Sequence, residues 1–148
     1  MTNLSPAQTV QRYLEEYGWR YHSNHENCWL TGWQSEKRAY PLIVTLNDSW
    51  ICFQVAPMMK LGVEWNSWPE IMRYILELND ECRLVKLGID SFGDISMSLY
   101  LFTSYMNYEQ FSDAIGVIGH YSEKIYDEIH SYLDSIGFHS HRPGQYLA

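Results

Sequence analysis

Several familiar signatures are missing from this chain, and each absence removes a class of function. Only three cysteines occur, Cys28, Cys52 and Cys82. They are an odd number and too widely spaced for a C-x-x-C pair, so neither a disulfide framework nor a dithiol redox site is expected. No apolar run approaches 18 residues, which argues against a membrane-spanning helix. The N-terminal Met-Thr-Asn-Leu-Ser-Pro has no basic region followed by an apolar run, so no secretory signal is read there. Reduced thiols in a cytoplasmic protein are the simplest expectation. There is no glycine-rich phosphate loop after a strand and no G-x-S-x-G nucleophile elbow.

Basic charge is also scarce. Ten Lys and Arg stand against eighteen Asp and Glu, a net of -8. The excess is uneven: residues 75–148 hold eleven acidic and four basic side chains. Nucleic acid would approach that half against its field, and no basic stripe elsewhere offers a footprint. A basic or uncharged protein segment suits it better.

What the chain does have is large apolar groups. It is 148 residues long, 46% hydrophobic and 16% aromatic, with 6 Trp and 12 Tyr. That length supports one compact domain with its own core. The domain is expected to span residues 1–138, with 139–148 as a flexible tail.

Helix signals come first. Ser5-Pro6-Ala7-Gln8 combines a cap, a proline at the first helical position and a capping-box partner. Val10, Tyr13, Leu14 and Tyr17 then repeat at helical spacing, and Gly18 stops the helix. Ser67-Trp68-Pro69-Glu70 opens a second helix with Ile71, Met72, Ile75 and Leu78 on its apolar side, and Asn79 as its stop. Asn107 and Gln110 begin a third, whose apolar stripe runs from Tyr108 to Ile136. Gly116 and Gly119 are expected to bend that helix or admit a neighbouring backbone.

Between the helices the period changes to two. Strands are expected over 28–33, 40–46, 50–56, 82–90 and 94–102, with the polar stretch 22–27 as a turn and 34–38 as a solvated connection. Cys52 reads as a core residue. Short connections favour antiparallel neighbours, so the fold class is α+β, in the order α-β-β-β-α-β-β-α. The helices should lie mainly on one face of a single antiparallel sheet.

The block from Leu78 to Leu101 carries a further pattern. An Asn follows a helix, then come a strand, an Asp-x-x-Gly-Asp turn and an alternating strand. This resembles the YbjN-like family, loosely over residues 5–136, and that family is related in fold to the type III secretion chaperones. The resemblance implies a small acidic protein, commonly dimeric, that holds a segment of another protein. Members have been labelled sensory regulators, without an established general chemistry. Asn79, Asp90, Gly93 and Asp94 match the family pattern as structural positions only.

Chemistry-bearing clusters are thin. His22, His25 and Cys28 have suitable ligand types for zinc but lack a fourth, so no metal site is expected. Asp90 and Asp94 flank an exposed turn, where nothing would drive their pKa values apart for acid–base work. No catalytic residues and no cofactor are expected. The more informative set is aromatic and soft. Met58, Met59, Trp65 and Trp68 fall in or beside the connection to the second helix, and Trp50 has opposite parity to Ile51 and Phe53. Large apolar groups placed there are candidates for protein contact, in a homodimer or with another protein. Trp29 or Trp33 is expected to join Trp50 on the face without helices. The expected function is a non-catalytic protein-binding domain, chaperone-like or a regulatory adaptor. The competing expectation is a small-ligand binder or enzyme with a pocket between the long helix and the sheet.

Overall fold

The computed structural model describes residues 3–62 and 68–138. Helix α1 (Pro6–Tyr17) starts as its capping box requires. Ser5 Oγ accepts the Gln8 N–H at 3.2 Å, and Gln8 Oε1 accepts the Ser5 N–H at 2.9 Å. Gly18 ends it at φ 88°, a left-handed conformation that costs glycine little.

Strands β1 (His22–His25), β2 (Cys28–Gln34), β3 (Ala39–Leu46) and β4 (Trp50–Met59) follow as a meander. Helix α2 (Pro69–Glu81), strands β5 (Lys86–Ile89) and β6 (Ile95–Phe102), and helix α3 (Tyr108–Ser135) follow among the described residues. The six strands form one antiparallel sheet in the order β1-β2-β3-β4-β6-β5, with the helices on one face.

Register decides which side chains meet the helices. Phe53 pairs with Val44 on one side and Leu99 on the other, and Ile51 pairs with Leu46 and Leu101. These rows, with Leu42, Val55 and Met97, form the floor on which Val10, Leu14, Ile71, Phe111, Ile118 and Ile125 pack. The 28 residues of α3 span about 42 Å. The single subunit accounts for this length. Near its start α3 meets α1, where Tyr13 packs on Tyr108 and Phe111. Near its end Tyr132 stacks on Tyr74 of α2 at 3.9 Å.

Five expectations change. Residues 22–25 are a strand rather than part of a turn; they hold the sheet edge, where a polar strand keeps one side in water. The turn shrinks to Glu26 and Asn27, the latter at φ 62°. The fifth strand starts at Lys86 instead of residue 82, because α2 continues to Glu81 and Leu84 adopts φ 71°. Strand β4 runs on to Met59 past an irregularity after Val55, so Met58 and Met59 belong to the strand and not to a connection. Cys52 sits on the face without helices, half-buried, because it alternates with buried Ile51 and Phe53. Finally, a Cβ added at Gly116 or Gly119 would meet nothing within 4 Å, so neither glycine admits a neighbouring backbone. Ser67, read as the cap of α2, lies outside the described residues.

Candidate functional site: an open aromatic sheet face

The face opposite the helices is built by the other parity of the same strands. Cys28, Thr45, Cys52 and Tyr100 form one cross-strand row, and Leu30, Ile43, Gln54, Ser98 and Lys86 form the next. Trp50 pairs with Phe102 at the end of the ladder. Trp50, Tyr100 and Phe102 are 41%, 49% and 60% exposed, and their rings lie 5.3 Å (Trp50–Phe102) and 6.4 Å (Trp50–Tyr100) apart. Lys86 Nζ sits over the Tyr100 ring at 4.8 Å. Burial raises the Cys52 thiol, which opposes a reactive thiolate there.

The five sequence candidates do not converge. Trp50 lies on the open face as its parity implies. Met58 and Met59 are only 4% and 1% exposed, so within one subunit both serve the core. Trp68 is half-buried, edge-on to Phe138 at 4.9 Å. Trp65 lies outside the described residues. Trp29 and Trp33 face the helices, because they pair with Val44 and Tyr40, which already point inward. Tyr100 and Phe102 were missed as surface residues; their parity in β6, opposite to Leu99 and Leu101, carried the signal.

A second feature lies at the far end of the sheet. The β3–β4 ladder runs from Leu46↔Ile51 to Ile43↔Gln54 and stops. Beyond it the strands splay and leave a cleft of about 550 Å³ lined by Trp33, Arg38, Tyr40, Pro41, Met58 and Tyr126 among others. Arg38, expected in a solvated connection, is instead drawn onto α3. Its guanidinium donates to Glu123 at 2.7 Å, to Asp127 at 3.4 Å and to the Tyr40 hydroxyl at 3.1 Å, and covers the Tyr126 ring at 3.6 Å. Burial pushes the Tyr40 phenol up to about 12, aided by Glu123 and opposed by Arg38. With its charge held by two carboxylates, Arg38 ties the β2–β3 hairpin to α3.

The remaining polar motif is architectural. Asp90 Oδ1 accepts the N–H groups of Phe92 and Asp94, while Gly93 turns the chain at φ 78°. Asp94 Oδ1 then accepts the N–H groups of Leu61 and Gly62, and Asn79 Oδ1 accepts that of Leu87. His22, His25 and Cys28 fall on the β1–β2 hairpin. Among the described residues no group of three or more His, Cys, Asp or Glu side chains is placed to hold a metal ion. Nor is any helix there long and apolar enough to cross a membrane.

One antiparallel sheet backed by helices on one face is the architecture that the type III secretion chaperones also have. The crystal structure of the Yersinia pestis chaperone SycH, in complex with a stable fragment of YscM2, superposes with a TM-score of 0.54 at 10% identity. That match covers 81% of this chain and 98% of the matched one. The chain belongs to the YbjN family, described as "Putative bacterial sensory transduction regulator", whose profile matches residues 6–131. The crystal structure of YbjN from E. coli superposes with a TM-score of 0.58 at 15% identity, covering 87% of this chain and 91% of that one. No curated protein matches the chain in sequence.

Proposed function

We propose that this chain is a non-catalytic protein-binding domain, chaperone-like or acting as a regulatory adaptor, and that it binds through the open sheet face. The observation that carries this reading is the exposed Trp50–Tyr100–Phe102 cluster on a face that no helix of the described residues covers. Aromatic side chains supply large apolar contact area at small entropy cost, and they dominate binding hot spots. The net charge of -8 favours a basic or uncharged protein segment as partner over nucleic acid. A homodimer through the same face is the other occupant this surface could take. The likeness to a chaperone solved with a fragment of another protein supports the same class of function.

The test is a Trp50→Ser, Phe102→Ser double variant. Both residues are exposed, so the thermal unfolding curve should move little, while affinity for a captured partner should fall by about tenfold or more. Undiminished capture by a folded double variant contradicts the reading. A small-ligand binder is the second reading, favoured by one observation: the cleft at the β3–β4 split, whose volume falls in the usual range for ligand sites. Ligand-induced change confined to Pro41 and Tyr126, with no protein partner, would favour it.

A further inference from the structure

The split between β3 and β4 is written into the sequence at two prolines. Asn47 donates its N–H to the Trp50 carbonyl at 2.9 Å, and Leu46 donates its own to Asn27, beside β2, at 3.0 Å. Strand alternation then turns the backbone of Thr45, Ile43 and Pro41 toward β4. Thr45 and Ile43 pair there with Cys52 and Gln54. Pro41 has no N–H to offer, and neither has Pro57 across the split, so both sides lack a donor where the ladder stops. The cleft of about 550 Å³ is thus a built part of the sheet. Its volume falls within the roughly 300–1,000 Å³ of small-molecule sites.

The walls of the cleft are rigid. Trp33 stacks on Tyr40 at 4.9 Å and on Trp19 at 6.0 Å, so a column of rings fixes one side. Pro41 and Pro57 stiffen the strand edges, and Met58 and Tyr126 extend the apolar lining. A pre-set slot of rings and prolines receives a flat, rigid body at less ordering cost than a flexible chain. The thioether of Met58 suits the edge of an aromatic ring.

Charge then selects the ligand. Arg38 and Lys60 line the cleft, and among the described residues no Asp or Glu does. Arg38 is already engaged by Glu123 and Asp127, and Asp127 also holds Lys37 at 2.8 Å. Those four charges cancel. Glu36, on the same hairpin, is exposed and off the lining. Lys60 is half-buried and forms no ion pair with the described residues; Glu64, four residues on, lies outside them. A partly desolvated ammonium gains a charge-assisted hydrogen bond from an anion. The chain's net charge of -8 opposes an anion from afar, but beyond about 8 Å it is largely screened at physiological salt. With the Arg38 fork engaged, one lysine suits a singly charged carboxylate better than a phosphate.

We propose that the cleft at the β3–β4 split binds a small, rigid aromatic monocarboxylate, with its rings among Trp33, Pro41 and Met58 and its carboxylate on Lys60. The proposal rests on the small-ligand reading above, independently of binding through the open face, and names the class of ligand.

The test titrates the full chain with naphthoate, with uncharged naphthamide and with naphthylmethylammonium, followed by nuclear magnetic resonance. Naphthoate should shift the Trp33 indole N–H, the Met58 methyl and the Tyr126 ring, and leave Trp50 and Phe102 unmoved. A charge-assisted contact with Lys60 should make it bind about tenfold more tightly than the amide, with the ammonium probe weakest. Lys60→Met keeps the length of the apolar stem and should bring acid and amide to equal affinity. Lys37→Met, which removes a charge off the cleft, should keep the preference. Equal binding of acid and amide to the unaltered chain, as a Lys60 already met by Glu64 would give, overturns the carboxylate but leaves a small-ligand site standing. So does a preference that survives Lys60→Met. Shifts centred on the Trp50–Phe102 face, or on the apolar groove lined by Leu84 and Val117, overturn the site itself. Failure of all three probes at millimolar concentration removes the proposal and the small-ligand reading together. Capture of a protein through Trp50 and Phe102 is read separately by the double variant above.

Discussion

Asp94 is where one side chain holds two parts of the fold together. Its carboxylate accepts the Leu61 and Gly62 N–H groups at 2.9 and 3.1 Å, and the residue is buried. Hydrogen bonds to a charged acceptor are worth more than neutral ones, and removing the acceptor strands two donors. Asp94→Ala is therefore expected to cost about 2–4 kcal/mol. In urea the midpoint should fall with an unchanged slope; a loss below about 0.5 kcal/mol would contradict the role. Tyr40 gives a pH signature. Its phenol is held neutral up to about 12 in the folded chain, mainly by burial, against about 10 in an unfolded one. Stability from this group is complete below about 10 and is lost as pH rises toward about 12, because only the unfolded chain can ionise there. Tyr40→Phe should show a smaller alkaline decline than the parent in denaturation curves taken across that window. An equal decline would place the effect elsewhere. The Asp90–Gly93–Asp94 turn was legible because every partner within it is a few residues away. Arg38 was not, since Glu123 lies 85 residues further on and nothing local announces the pairing.

At the scale of elements, capping and periodicity were enough for α1 and α3, whose bounds depend on nearby side chains. The strands were read well where one face is buried, as in β3, β4 and β6. They were misread where that condition fails. Strand β1 has no apolar side to alternate because it lies at the edge, and β5 is cut short by the backbone turn at Leu84. The Met58–Met59 pair was misplaced for a related reason. The irregularity after Val55 breaks the two-residue period, so consecutive buried residues look like a connection. Helix α3 offers a clean test of its two glycines. An added Cβ meets nothing at either position, and Gly116 is exposed. Gly116→Ala should stabilise the protein by about 0.5–1 kcal/mol through helix propensity and reduced unfolded-state entropy. The combination with Gly119→Ala should be roughly additive. A lower melting temperature for Gly116→Ala would contradict open space at that position.

For the whole molecule, the division of labour follows from one sheet used on both sides. The helices take one face and close the core. The other face keeps Trp50, Tyr100 and Phe102 in water at a corner where β6 also runs past its neighbour. The open face was foreseeable at Trp50 from strand parity. Its extension onto Tyr100 and Phe102 needed the register that sets β4 beside β6, which no local pattern specifies. The claim that this face is the binding surface makes a spatial prediction. Leu76 on α2 is also apolar and exposed, so it serves as a matched control on a different surface. The direct measurement places a photo-cross-linking amino acid at position 102 in one variant and at position 76 in another, in cells that make the protein. The account predicts protein adducts from position 102, lost when Trp50 is changed to Ser, and few from position 76. Equal adducts from both positions, or adducts from 76 alone, would contradict it.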